Sequence, residues 1–215
     1  MNRAARLQLA GAAVLLLASA ALALHGQPTP EQKWNYMAPQ YQHLLADRKV
    51  YIDPAELLSL MNDDYIQLVI YAVRNESDWN LFHLVDSELV SLDSLETRRD
   101  RLLAMPESAV VVVVSNDEML ATEAWKRLMV IAKPNAYILE GGLNHWLDIY
   151  GVPGDEHGGH GQAGLAPDGT MRHPFKQALG DRHAAAQPDE HHLPVREYER
   201  RVRLLKKIAR AGGCD

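Results

Sequence analysis

The residues that could carry chemistry follow a run of five valines. In "AVVVVVSNDEMLA", residues 109–121, the apolar run ends abruptly at Ser115, Asn116, Asp117 and Glu118, followed by Met119, Leu120 and Ala121. A buried strand emptying onto the N-terminus of a helix is where many α/β proteins place an anion site or a nucleophile. Here the turn offers one hydroxyl and two carboxylates, with no thiol, glycine or cation. Ser115 as a nucleophile would need a general base and an oxyanion hole, and no nucleophile-elbow G-x-S-x-G surrounds it. His83 and His145 are the candidate bases, and each has an ordinary structural alternative.

The other reactive group is Cys214, the sole cysteine, next to the last residue and behind a basic stretch. One cysteine forms no internal disulfide and excludes cysteine-rich zinc sites. Flanking cations would lower its pKa, so it is a candidate sulfur carrier or intermolecular bridge, beside the plainer reading of an inert terminal residue. Six of the ten histidines follow residue 150, with His157 and His160 the candidate metal ligands. Their irregular spacing favours a polar extension over a metal site. No cofactor motif is present.

Positioning such groups takes a parallel sheet. "IQLVIYAV" (66–73), "AVVVVV" (109–114) and the strand opening "NAYILEGGLNHW" (135–146) alternate with helical segments over short links. Asp53 before Pro54 marks a helix start, with Glu56 near enough to support it, and Leu57, Leu58, Leu60 and Met61 form its inner face. "TEAWKRLMVIA" turns Ala124, Leu128, Ile131 and Ala132 inward. Gly141 and Gly142 permit a tight turn into a helix that carries Trp146 into the core.

The flanks are read as follows. Residues 1–24 combine Arg3 and Arg6 with an apolar run, and Ala21-Leu22-Ala23 fits a cleavage site, so the segment is a signal peptide or a membrane anchor. The expected location is the periplasm, or the outer face of the cytoplasmic membrane. Residues 25–48, with Pro28, Pro30 and Pro39, read as a linker with a short helix near 41–45, leading into a domain at 49–151. Residues 152–193 are rich in Gly, Pro and His and read as a flexible segment. In 194–215 an apolar stripe of Val195, Tyr198, Val202, Leu205 and Ile208, with seven basic residues between 196 and 210, predicts an amphipathic helix. That tail is the expected contact for an acidic surface, a protein partner or anionic lipid. A net charge of −6 argues against a nucleic-acid partner.

Taken in order, "DPAELLSLM", "LVIYAVRNESDWNLFHLVDS", "VVVVVS" and "ILEGGLNHW" resemble the rhodanese domain over roughly residues 50–150. The last is similar to that family's Leu-x-Gly-Gly-x-x-x-Trp signature. The resemblance implies an α/β fold with a parallel sheet flanked by helices, and a sulfurtransferase site whose loop runs Cys-x-x-Gly-x-Arg-Ser. Laid on that loop, Ser115 takes the cysteine position, Glu118 the glycine, Leu120 the arginine and Ala121 the serine. Ala72 stands where the family has Asp, and Asp86-Ser87 where it has Gly-Ala, while Arg74 and His83 match as possible binding residues, with Gly141 and Gly142. A serine hydroxyl cannot carry a persulfide near neutral pH. Asp117 and Glu118 suit the helix dipole but repel an anionic substrate. The expectation is a domain that keeps the fold, lacks the chemistry and serves as a binding or accessory module. A sulfur relay through Cys214 and metal handling by the histidine-rich tail are the alternatives.

Overall fold

The computed structural model describes residues 11–20, 28–106, 108–133, 135–151, 169–175, 177–189, 193 and 196–203. Five parallel strands form one sheet in the order β1-β5-β4-β2-β3: β1 (Tyr51–Ile52), β2 (Leu68–Ala72), β3 (Ser87–Leu89), β4 (Val110–Val114) and β5 (Ala136–Leu139). The central strand β4 aligns Val110 with Leu68 and Val114 with Ala72 on one side, and Val113 with Ile138 on the other. All five valines are buried because helices cover both faces, as parallel sheets require. Strand alternation divides them. Val110, Val112 and Val114 join Ile52, Leu57, Leu139, Leu143 and Trp146 on one face. Val111 and Val113 join Tyr71, Ala121, Ala124, Trp125 and Leu128 on the other.

Three helices match the sequence signals in place and type. Asp53 caps α2 (Pro54–Met61) through Oδ1 to Ala55 N at 2.8 Å, with Pro54 opening the first turn. α6 (Met119–Val130) buries Ala124, Trp125 and Leu128, and the indole of Trp125 donates to Ala136 O at 2.8 Å. Ile131 is buried, but the helix has ended and Ala132 turns outward with φ 68°. α7 (Gly142–Tyr150) places Trp146 fully inside, its indole donating to Ala185 O at 2.7 Å. Between β2 and β4 lie the short α3 (Glu76–Leu81), α4 (Ser94–Thr97) and α5 (Arg99–Ala104).

Three expectations are corrected. In the expected 25–48 linker, the described residues 28–48 hold more than a short helix near 41–45: α1 (Pro30–Ala46) is a 17-residue helix opened by a Thr29/Gln32 capping box. Trp34 and Tyr41 meet Trp125 edge-on at ring distances of 6.0 and 6.4 Å, so α1 is a layer of the domain.

The second correction concerns 152–193. Its described residues, 169–175, 177–189 and 193, are packed on the domain. Phe175 stacks on Phe82 at 5.7 Å, Phe82 bridges to Gly180, and Ala185 and Ala186 are buried beside Trp146.

The third concerns the tail, where residues 196–203 are irregular instead of helical. Val202 is buried, and Glu56 turns inward instead of supporting its own helix start. The Glu56 carboxylate accepts from Arg201 N at 3.0 Å and Val202 N at 2.8 Å. A buried carboxylate is tolerated because main-chain N–H groups satisfy it.

Residues 11–20 are helical, with Val14, Leu15, Leu16 and Leu17 exposed by 64–73%. Among the described residues no helix is long and apolar enough to cross a membrane.

Candidate functional site

The loop after β4 is held from below by α7. Leu143 N donates to Ser115 O at 2.8 Å and Asn144 N to Asn116 O at 3.0 Å. This approach is possible because Gly142 has no side chain: with φ 64°, a Cβ there would stand 2.3 Å from Asp117 O. Gly141, φ 67°, makes the turn that precedes it. The two glycines therefore set the height of the loop, which is a structural role.

Within the loop the side chains turn back onto the loop's own amides. Ser115 is 1% exposed; its hydroxyl donates to Asp117 O at 2.6 Å and accepts from Ala121 N at 3.1 Å. A hydroxyl committed in this way has no general base drawing off its proton. Asp117 Oδ1 accepts from Met119 N at 2.8 Å, and its Oδ2 accepts from Gly169 N. Glu118 Oε1 accepts from Gly141 N at 2.6 Å. Two amides at the start of α6 and one at the turn into α7 are thus satisfied by the chain's own oxygens, where an anion-binding loop would leave them open. Leu120 supplies no cation, and Met119 is 52% exposed beside the loop.

Arg48 supplies positive charge from an unforeseen direction. Its guanidinium grips Glu118 with two bonds, 3.1 and 2.6 Å, reaches Glu140 at 3.1 Å, and lies 4.0 Å over the Tyr51 ring. The hydrogen bond to Glu118 holds the Arg48 guanidinium above its usual range, against the smaller opposing effect of desolvation. Arg48 adopts φ 52°, a conformation rare outside glycine, and nothing in the sequence signals it.

Arg74 is 7% exposed and donates to Phe82 O at 2.8 Å, tying the end of β2 to the chain after α3. Burial pulls its guanidinium down to about 10, with nearby Asp78 opposing the change, so it stays charged at neutral pH. Its Nε and Nη2 have no hydrogen-bond partner among the described residues. Asn116 Nδ2 reaches across to Asp78 Oδ2 and to Gly169 O at 2.9 Å. His83 stacks on Trp79 at 3.8 Å and its Nδ1 lies 2.9 Å from Trp79 O.

The residues that sequence reasoning missed are Arg48, Asp78, Asn144 and the 169–173 segment, which lies across the loop. Asn144 stands within the "GGLNHW" motif, and "PDGT" at 167–170 is an ordinary turn signal, so both left traces. Cys214, His157 and His160 lie outside the described residues. Among the described residues, no group of three or more His, Cys, Asp or Glu is placed to hold a metal ion.

None of the curated proteins compared matches this chain. Among solved structures, a protein from Bacillus halodurans is 16% identical, covering 51% of this chain and 80% of its own, with a TM-score of 0.41. The rhodanese-like domain of a protein from Anabaena sp. is 21% identical, covering 45% and 72%, with a TM-score of 0.39. A rhodanese-like domain protein from Staphylococcus aureus is 20% identical, covering 45% and 89%, with a TM-score of 0.36. The family model described as "Rhodanese-like domain" matches residues 53–149, from the cap of α2 through β2, β3, β4 and β5 into the last turn of α7, with β1 just before it. The chain thus carries a rhodanese-like domain over residues 53–149.

Proposed function

We propose that this chain is an exported rhodanese-like protein that performs no sulfur transfer at its loop and acts as a binding or accessory module. The observation that carries the reading is the occupation of the loop by its own carboxylates. Asp117 and Glu118 accept from Met119 N and Gly141 N, filling donors that a thiosulfate or persulfide would need, and Asp117 also holds Gly169 N of the crossing segment. Ser115 supplies no thiolate, and it is buried under the loop instead of facing a substrate. Export is supported by Arg3 and Arg6 ahead of the apolar run, and by the exposed apolar surface of residues 11–20.

The test is a thiosulfate:cyanide sulfurtransferase assay on the full chain. Turnover stays at the uncatalysed background and does not change in Ser115→Ala. Turnover above background that falls in Ser115→Ala would overturn the reading.

A further inference from the structure

The segment crossing the loop is held through its main chain. Gly169 is bracketed by neighbouring loop residues: its N–H donates to Asp117 Oδ2 and its carbonyl accepts from Asn116 Nδ2 at 2.9 Å. Asn144 spans the next three residues, with Nδ2 donating to Thr170 O and Oδ1 accepting from Arg172 N, both at 2.8 Å. These four bonds use no side chain of the segment. A side-chain amide that offers both a donor and an acceptor holds a polypeptide much as a neighbouring strand does. Asn116 and Asn144 are only 2% and 4% exposed. Buried amides of this kind are costly unless something polar meets them: the segment meets both sides of the Asn144 amide, while Asn116 gives it only Nδ2, shared with Asp78 Oδ2, and its Oδ1 has no partner among the described residues.

Specificity comes from the two ends. Gly169 has φ 85°, and a Cβ there would stand 3.4 Å from the Met119 methyl group, so this position favours glycine. At the other end His173 is 3% exposed, its Nε2 lying 3.0 Å from Asp148 Oδ1 and 3.2 Å from Asn144 O. Arg172 pairs with the other oxygen of Asp148 at 3.0 Å. Main-chain bonds supply affinity, Met171 packs its side chain against the core between the two ends, and the glycine position with the Arg-His pair supplies selection.

We propose that the loop face formed by Asn116, Asp117, Asn144 and Asp148 is a peptide-binding site. Its ligand is a segment of the form Gly-x-x-Arg-His, bound here in cis by residues 169–173, and the site accepts the same pattern in trans from a partner. This deepens the reading of the loop as a binding surface and rests on it.

The probe is a capped synthetic peptide with the sequence of residues 168–174. In the full wild-type chain the cis segment competes at high effective concentration, so the peptide binds weakly. Arg172→Pro removes the N–H that reaches Asn144 and releases the segment. The peptide then binds that chain at least about tenfold more tightly than wild type, and adding Asn144→Ala removes the gain. No saturable binding to Arg172→Pro, or binding indifferent to Asn144→Ala, overturns the proposal.

A second measurement does not depend on how Arg172→Pro folds. In wild type, amide exchange at Gly169 and Arg172 proceeds while β4 remains protected, and Asn144→Ala accelerates both by at least about tenfold. The Val202 amide stays unchanged. Exchange at 169 and 172 only in step with β4 would show that the segment is not a separable ligand and would also overturn the proposal. Cyanolysis by the released chain is a different failure: it would overturn the non-catalytic reading and leave peptide binding standing.

Discussion

Gly142→Ala is expected to destabilise the protein by about 3 kcal/mol or more, lowering its melting temperature by about 10 °C. Two costs add. The left-handed backbone at φ 64° disfavours any Cβ, and the new atom would stand 2.3 Å from Asp117 O, a backbone atom that cannot rotate away. Relief requires α7 and the loop to separate, which breaks the bonds from Leu143 N to Ser115 O and from Asn144 N to Asn116 O. Thermal unfolding monitored by circular dichroism gives the size of the loss. A variant as stable as wild type would mean that the loop does not rest on α7 as described.

The second large contrast concerns sulfur chemistry. Enzymes accelerate their reactions by about 10⁶-fold or more, and Ser115→Cys is expected to recover none of that in the thiosulfate:cyanide assay. The new thiol would sit where residue 115 is 1% exposed, bonded to Ala121 N and facing the carbonyl of Asp117. A thiolate there gains no stabilisation from a cation, because Leu120 occupies the arginine position and Arg48 is engaged with Glu118 and Glu140. The approaching anion meets Asp117, Glu118 and the 169–173 segment. Cyanolysis well above wild type in this single variant would show that the missing thiol was the loop's sole defect.

Strands β2, β4 and β5 were legible because their signals are local and strong, while the two- and three-residue edge strands β1 and β3 were not. Five consecutive valines can be buried on both sides only in a covered parallel strand, and Asp53-Pro54 and Gly141-Gly142 mark element ends through their own backbone chemistry. α1 was hidden by Pro28, Pro30 and Pro39, which suggest a linker. Yet Pro30 occupies the first turn, where its missing N–H costs nothing, and Pro39 is carried within a helix whose Trp34 and Tyr41 dock on Trp125. The tail misled in the opposite direction. Val195, Tyr198 and Val202 have helical spacing, but Val202 is buried in a segment whose amides are bonded to Glu56, a partner 146 positions away. No local pattern reports a bond of that range.

The site was legible as a departure and illegible as a replacement. Ser115, Glu118 and Leu120 showed what the loop lacks. They could not show that Asp117 and Glu118 fold back onto Met119 N and Gly141 N, or that Arg48 balances Glu118 from the far end of α1. These arrangements depend on a left-handed Arg48 and on a segment 52 residues downstream, neither of which the loop's own sequence encodes.

The most direct test of this account is an NMR titration of the full chain with thiosulfate, following the backbone amides of residues 115–121, 141 and 169. Because the amides of Met119, Ala121, Gly141 and Gly169 donate to the protein's own oxygens, the account predicts no saturable shift at millimolar thiosulfate, with Met119, Ala121 and Gly141 unmoved. Saturable shifts concentrated at those three amides would show that the loop still binds the anion and would contradict it.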